Sequence, residues 1–209
     1  MLTSEDIDDP QVSSEELARA GLKSRKFLKA LVQAEASGDN LRCLNALLSI
    51  SEEHPESLYP LWDELVQHLQ HRNPYVRVQA VDHLANLACV DVENRFAGLV
   101  DGYFALLHDR TVTVAMHVAR NAGKLVRSLP ALEPAITAAL LAFEQTEPPA
   151  LRKEQVKHCI LTAFDEYFDA AQDKPAIQSF VCRQLDSPNA QTRQEARRFV
   201  RRLSTRRPA

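Results

Sequence analysis

An apolar residue followed by arginine, or one half of that pair, recurs at positions 41, 76, 112, 151 and 192. The instances are Leu41-Arg42, Val76-Arg77, Val112-Thr113, Leu151-Arg152 and Thr192-Arg193. The third lacks the arginine and the last lacks the apolar residue. Self-similarity at about 35 to 41 residues marks stacked supersecondary units, none of which can bury its hydrophobic face alone. Such a period dictates architecture before any single residue is considered.

Between these points the apolar residues follow a helical period. Leu58, Leu61, Trp62, Leu65, Val66 and Leu69 form one stripe. His71-Arg72-Asn73-Pro74 interrupts it, with Asn73 as cap and Pro74 at the first helical position. Val76, Ala80, Val81, Leu84, Leu87 and Ala88 then form a second stripe. The scheme repeats with Phe96 to Leu107 and Val112 to Val126, divided at Asp109. A third pair begins at Glu133-Pro134, turns at Glu147-Pro148-Pro149 and buries Val156, Cys159, Ile160, Ala163 and Phe164. The fourth begins at Lys174-Pro175, turns at Asp186-Ser187-Pro188-Asn189 and buries Ala196, Phe199, Val200 and Leu203. Ahead of these pairs, Ser13 to Ala36 reads as one helix weakened at Gly21 and closed by Ser37-Gly38-Asp39. No sustained two-residue alternation or Asn-Gly hairpin signal is present, so the expected class is all-α.

The second-helix pattern is fullest in Asn73-Pro74-Tyr75-Val76-Arg77-Val78-Gln79-Ala80-Val81 and weaker from Ser187 to Ala196. It resembles a HEAT repeat, and the resemblance covers about residues 37–204. It implies a right-handed superhelix of stacked antiparallel hairpins, with four full repeats and an N-terminal partial unit. Second helices would line its concave face. The tetratricopeptide and ankyrin signatures are absent. The four surviving arginines of the recurring pair, Arg42, Arg77, Arg152 and Arg193, are expected to tie neighbouring repeats together. The Val112-Thr113 unit, without one, tests local packing.

Composition narrows the function classes. Hydrophobic residues make up 45% and charged residues 25%, with a net charge of −3. That balance commits the chain to neither nucleic acid nor membrane. The four cysteines are far apart, and three fall at inward-looking positions, which fits a reducing compartment. MLTSEDIDDP has neither the basic nor the apolar region of a secretion signal, and no apolar run approaches a membrane span. A cytoplasmic setting is expected. The expected organisation is an acidic tail over 1–12, disordered or at most loosely docked, one repeat domain over 13–205 and a flexible basic end over 206–209.

Three constellations bear on function. Arg193, Arg197, Arg198, Arg201, Arg202, Arg206 and Arg207 form a basic C-terminal cluster. It reads either as a phosphate or acidic-partner patch or as the polar cap of a terminal repeat. The histidines, including the close pair His68 and His71, read as scattered surface groups, and no metal site is expected. The faces of the second helices opposite their buried stripes give a third. They bring up Gln79, Asp82, His83 and Asn86, then His117, Arg120, Asn121 and Lys124, then Glu154, Lys157 and His158, then Arg198 and Arg202. This polar, mildly basic strip suits a protein segment or an acidic helix.

Phosphate loops, nucleophile elbows and His-Glu-x-x-His motifs are missing, so neither catalysis nor a cofactor is expected. The alternative is a nucleic-acid-binding HEAT-like protein using the basic C-terminal and groove residues. Its enzymatic extreme is similarity to HEAT-like alkylpurine DNA glycosylases, but Trp62 lies in a buried stripe and no aromatic-plus-Asp set appears. The sequence therefore points to a non-enzymatic scaffold that holds a protein partner along its concave groove.

Overall fold

The computed structural model describes residues 2–36, 40–145 and 150–205. The expected turns at Ser37-Gly38-Asp39 and Glu147-Pro148-Pro149, the side chains of Leu151 and Arg152, and Arg206 and Arg207 lie outside the described residues. Among those described, every regular element is helical. The chain divides into two compact units, one through Phe96 and the other from Ala97.

The first unit begins with α1 (Ser14–Lys23) and α2 (Arg25–Glu35). The single helix expected over Ser13 to Ala36 is thus two. Ser24 adopts extended backbone, and its side chain accepts a hydrogen bond from the Phe27 N–H, which starts a new helix there. Gly21 is buried where α1 meets Leu28, Leu31 and Ile50, so its smallness serves packing. Then come α3 (Leu41–Glu53), α4 (Pro55–Leu58), α5 (Trp62–His68) and α6 (Pro74–Leu87). The stripe from Leu58 to Leu69 was expected to be one helix. It is broken by a 3-10 turn at Tyr59–Leu61 containing Pro60, which lacks the amide a continuous helix needs. Leu58, Leu61, Trp62, Leu65 and Leu69 remain buried across the break.

The second unit contains most of α7 (Arg95–Ala105), then α8 (Val112–Ser128), α9 (Glu133–Ala142), α10 (Ala150–Tyr167), α11 (Lys174–Gln184) and α12 (Ala190–Thr205). Its second helices lie side by side, α8 against α10 and α10 against α12. Gly123 permits the first approach, since a Cβ there would stand 2.2 Å from Glu166 Oε2. Phe164 sits edge-on to Phe180 and Tyr167, and Phe168 edge-on to Phe199. Val200 and Leu203, expected in the core, are half-buried at the end of α12.

The structure re-registers the recurring arginine. Asn40, Asn73 and Asn189 cap α3, α6 and α12 through their side-chain oxygens, and Thr111 precedes α8. Counting from these caps, the third residue is fully buried in each case: Cys43, Val76, Val114 and Thr192. Arg77 and Arg193 occupy the next position and behave alike. Arg77 Nη1 donates to the carbonyls of His71 and Arg72 at 2.7 and 3.1 Å. Arg193 Nη1 donates to those of Ser187 and Pro188 at 2.6 and 3.0 Å. These hydrogen bonds fasten the turn just before each arginine's own helix, where carbonyls have lost helical partners. These bonds lie within one repeat, whereas the expected tie was to a neighbouring one.

Arg42 stands two positions earlier in its helix and reaches elsewhere. Leu41, its apolar partner by sequence, is 72% exposed. The Arg42 guanidinium donates to the carbonyls of Ile7, Asp9 and Val12. Asn40 Nδ2 adds a bond to Ile7 O at 3.0 Å, and Ile7 itself is buried. The acidic segment, expected to be disordered or at most loosely docked, is held on α3 at Ile7, Asp9 and Val12, with a 3-10 turn at Ser4–Ile7.

Replacing Arg77 by alanine removes a 4%-exposed cation and strands two carbonyls. The expected cost is about 2–3 kcal/mol, the usual scale for bonds to a charged donor. Urea denaturation of R77A measures it, and a loss below about 0.5 kcal/mol would show that the turn holds without its arginine.

Candidate functional site

In the first unit α6 is packed by both α3 and α5 and buries residues around most of its circumference. Of the strip expected there, Gln79 and Asp82 are half-buried, Asn86 is 7% exposed and His83 is completely buried. Ala80, Ala85 and Ala88 on different sides of this stretch are the sequence signal of a helix enclosed on several faces. An outward face was expected because only the strongest stripe had been counted as buried.

His83 belongs to a polar cluster inside the unit. Its Nε2 lies 2.9 Å from Glu35 Oε1 and its Nδ1 3.1 Å from Ser51 Oγ. Asn86 Nδ2 donates to the same hydroxyl at 2.8 Å. His68 Nδ1 stands 3.7 Å from Glu35 Oε2, and the His68 and His71 rings are 6.4 Å apart. His68 and His83 are thus not the scattered surface groups expected from the sequence. Among the described residues, no group of three or more His, Cys, Asp or Glu is arranged to hold a metal ion.

The electrostatics of the pair are strongly coupled. Burial alone would push Glu35 up and His83 down, because it penalises both charges. At Glu35 the His83 imidazolium, with His68 beside it, outweighs that penalty, and at His83 Glu35 does so together with the charges of Asp82 and Glu52. Glu35 is held below the ordinary carboxylate value and His83 above the ordinary imidazole value.

In the second unit the strip presents charge to the surface. Arg120 on α8 and Arg198 on α12 are exposed, while His117, Lys124, Lys157, His158 and Arg202 are half-buried. Asn121 and Glu154 are buried. Glu154 accepts from Lys157 Nζ at 3.0 Å and from the Ser187 hydroxyl, which anchors the turn before α12. Arg198 is 3.5 Å from Glu195, and Arg202 is paired with Asp165. The α8 sequence contains Arg120, Lys124 and Arg127 but no acidic residue. Positive side chains from three adjacent helices therefore share this layer. On α12, Arg197 and Arg201 are exposed one helical turn apart, with Arg201 Nε donating to Arg197 O at 3.3 Å.

Two of the four free cysteines, Cys43 and Cys159, are buried, whereas Cys89 and Cys182 are exposed, one fewer inward than expected. Burial pushes the Cys43 thiol up to about 11. The Cys159 thiol is also raised by burial, although the Arg120 guanidinium beside it pulls the other way. Neither buried thiol is poised as a thiolate.

Neither a family model nor a curated protein matches the sequence. Solved structures do. An engineered protein from the Northeast Structural Genomics Consortium superposes with a TM-score of 0.53 at 19% identity, covering 98% of each chain. The designed armadillo repeat protein YIII(Dq)4CqI gives 0.54 at 16% identity, over 96% of this chain and 98% of its own. This is an armadillo-like helical-repeat fold. A third similar structure, the designed armadillo repeat protein YIII(Dq.V1)4CPAF, is in complex with the peptide (KR)4. It gives 0.50 at 15% identity, covering 95% of this chain and 96% of that one. Among the described residues, no helix of this armadillo-like chain is long and apolar enough to cross a membrane.

Proposed function

We propose that the chain is a non-enzymatic helical-repeat scaffold that binds an acidic segment of a protein partner on the second-helix face of its second unit. The observation that carries this reading is the positive layer formed by α8, α10 and α12, with Arg120 and Arg198 exposed and Lys124 and Lys157 beside them. A rigid helical array limits the ordering cost of binding, and charged donors give directional contacts to carboxylates. The designed neighbour's complex with (KR)4 is a case of a charged peptide held by this fold class. The exposed charges of this layer are positive, as those of (KR)4 are, so an acidic ligand is the complement here. The four free cysteines fit a reducing, cytoplasmic setting.

Substituting Arg120→Glu together with Lys124→Glu should weaken binding of a fluorescent oligoglutamate peptide by more than tenfold at low salt. That corresponds to one charge-assisted contact of about 1.5–3 kcal/mol, plus repulsion. Fluorescence anisotropy reads the affinity, and circular dichroism shows that the fold persists. Equal affinity for both proteins would reject the face.

The exposed Arg197 and Arg201 support a second reading, phosphate binding to nucleic acid. It requires an affinity for generic duplex that falls linearly with salt on a logarithmic scale. Absence of duplex binding at low salt would dismiss it.

A further inference from the structure

The cluster around His83 fixes the positions of its protons by hydrogen-bond accounting. Ser51 Oγ has one proton, and it is directed to the Leu48 carbonyl of its own helix at 2.8 Å. The hydroxyl oxygen can then only accept, and it does so from Asn86 Nδ2 at 2.8 Å. His83 Nδ1, 3.1 Å from the same oxygen, must therefore carry a hydrogen. The other ring nitrogen, Nε2, faces a Glu35 carboxylate oxygen at 2.9 Å, an acceptor when ionised. Glu35, Ser51 and His83 are completely buried, so water supplies no alternative partner.

We infer that His83 is an imidazolium with both ring nitrogens donating, and that its buried ion pair with Glu35 is a pH-sensitive clamp fastening α2 to α6. The groups facing it favour the cation. Glu35 approaches from α2, Glu52 from α3 and His68 from α5, while Asp82 lies on α6 itself. Cys43, on α3, lies within the field of Glu35 and keeps its proton. Glu35 thus hydrogen-bonds His83, the charges of Asp82 and Glu52 also favour its cation, and the His68 imidazole stands beyond Glu35. The second Glu35 oxygen, Oε2, is buried without a hydrogen-bond partner among the described residues, so the clamp is held through Oε1 alone.

The direction of the pH response follows. His83 is raised in the folded chain, so its share of stability is complete below about 6.5, the unfolded value, and drains as pH rises through the folded value. Glu35 is lowered, so its share is complete above the ordinary carboxylate value and drains only as acid approaches its folded value. Above about pH 6.5, opening of the clamp should grow tenfold for each pH unit until His83 releases its proton.

The test is a nitrogen–proton correlation spectrum of the histidine rings in the labelled full chain, titrated across roughly pH 5–8. Free histidine in the same buffer serves as reference. Both His83 nitrogens should still show protonated-type shifts at the pH where half of the reference has titrated, about 6.5. Over the same range, hydrogen exchange in α2 and α6, corrected for the intrinsic effect of pH, should accelerate above that point. A lone-pair-type shift at either His83 nitrogen at or below that pH, or titration together with the reference, would overturn the assignment. E35Q adds a second readout: His83 in that variant should titrate at or below the reference value. A doubly protonated ring persisting in E35Q would show that Glu35 is not its counterion. If E35Q does not fold, the native titration alone decides.

Discussion

Glu35→Ala is expected to lower the stability of the first unit by roughly 3–5 kcal/mol near pH 6, the usual cost of removing one partner from a buried ion pair. The loss is large because His83 has no route to solvent and would face the penalty of an uncompensated charge or of shedding its proton. The same argument predicts how the loss varies with pH. The native chain forfeits the His83 contribution as pH rises, so the gap between native and E35A should narrow toward alkaline pH. Urea denaturation followed by Trp62 emission reads this unit directly. Trp62 is the sole tryptophan, is 3% exposed, and packs against Phe96 with Arg95 over its ring. A constant gap between pH 6 and alkaline conditions would mean that Glu35 acts by shape and not by charge.

Phe164→Ala should cost the second unit a comparable amount, about 3–5 kcal/mol. The ring is completely buried in α10, with centroids 5.5 Å from Phe180 and 5.9 Å from Tyr167. Both contacts are near-perpendicular, at 80° and 67°. Each adds about 0.5–1.5 kcal/mol beyond area burial. Collapse around the gap is limited because α10 is flanked by α8 and α12 and cannot shift toward one without leaving the other. Hydrogen exchange in α10 and α11 should show the damage, with protection lost there first. Phe164→Leu, which refills most of the volume, should recover a large part of the loss. Equal losses for both variants would point to the aromatic geometry as the dominant contribution.

Much of this fold was legible in the sequence because burial on a helix leaves a periodic trace. The stripes through Val76–Ala88, Phe96–Leu107 and Ile177–Leu185 correspond to helices. Breaks were harder to see where a short polar residue or a proline occurred inside a good stripe. Ser24 starts a new helix through a single hydrogen bond, and Pro60 interrupts a stripe whose apolar residues stay buried on both sides of it. The recurring arginine was visible as a rhythm, but its role depends on phase from the cap. Arg42 is two positions out of step with Arg77 and Arg193 and does something else.

The candidate site was legible only on its outside. Arg120, Lys124, Arg198 and Arg202 could be placed on one layer from helical spacing alone. His83 and Glu35 could not, because 48 residues separate them and nothing local announces the pairing. A polar residue opposite a strong stripe looks the same whether the next helix covers it or water does. The alanines of α6 carry the distinction, since they let neighbouring helices close over that side.

The docking of the N-terminal segment has a practical corollary. Arg42 and Asn40 hold it by the main-chain carbonyls of Ile7, Asp9 and Val12, which every amino acid possesses. Within that held stretch Asp8, Asp9, Pro10 and Gln11 are exposed, although the Asp8 carboxylate also accepts from Asn40 Nδ2 at 3.4 Å and the Asp9 carboxylate from the Gln11 N–H at 2.9 Å. The attachment uses side chains at Asp8 and Asp9 but none at Pro10 and Gln11, with Ile7 as its apolar foot. Pro10 and Gln11 are therefore the letters that can be rewritten while the anchorage stays the same, a natural place to attach a label.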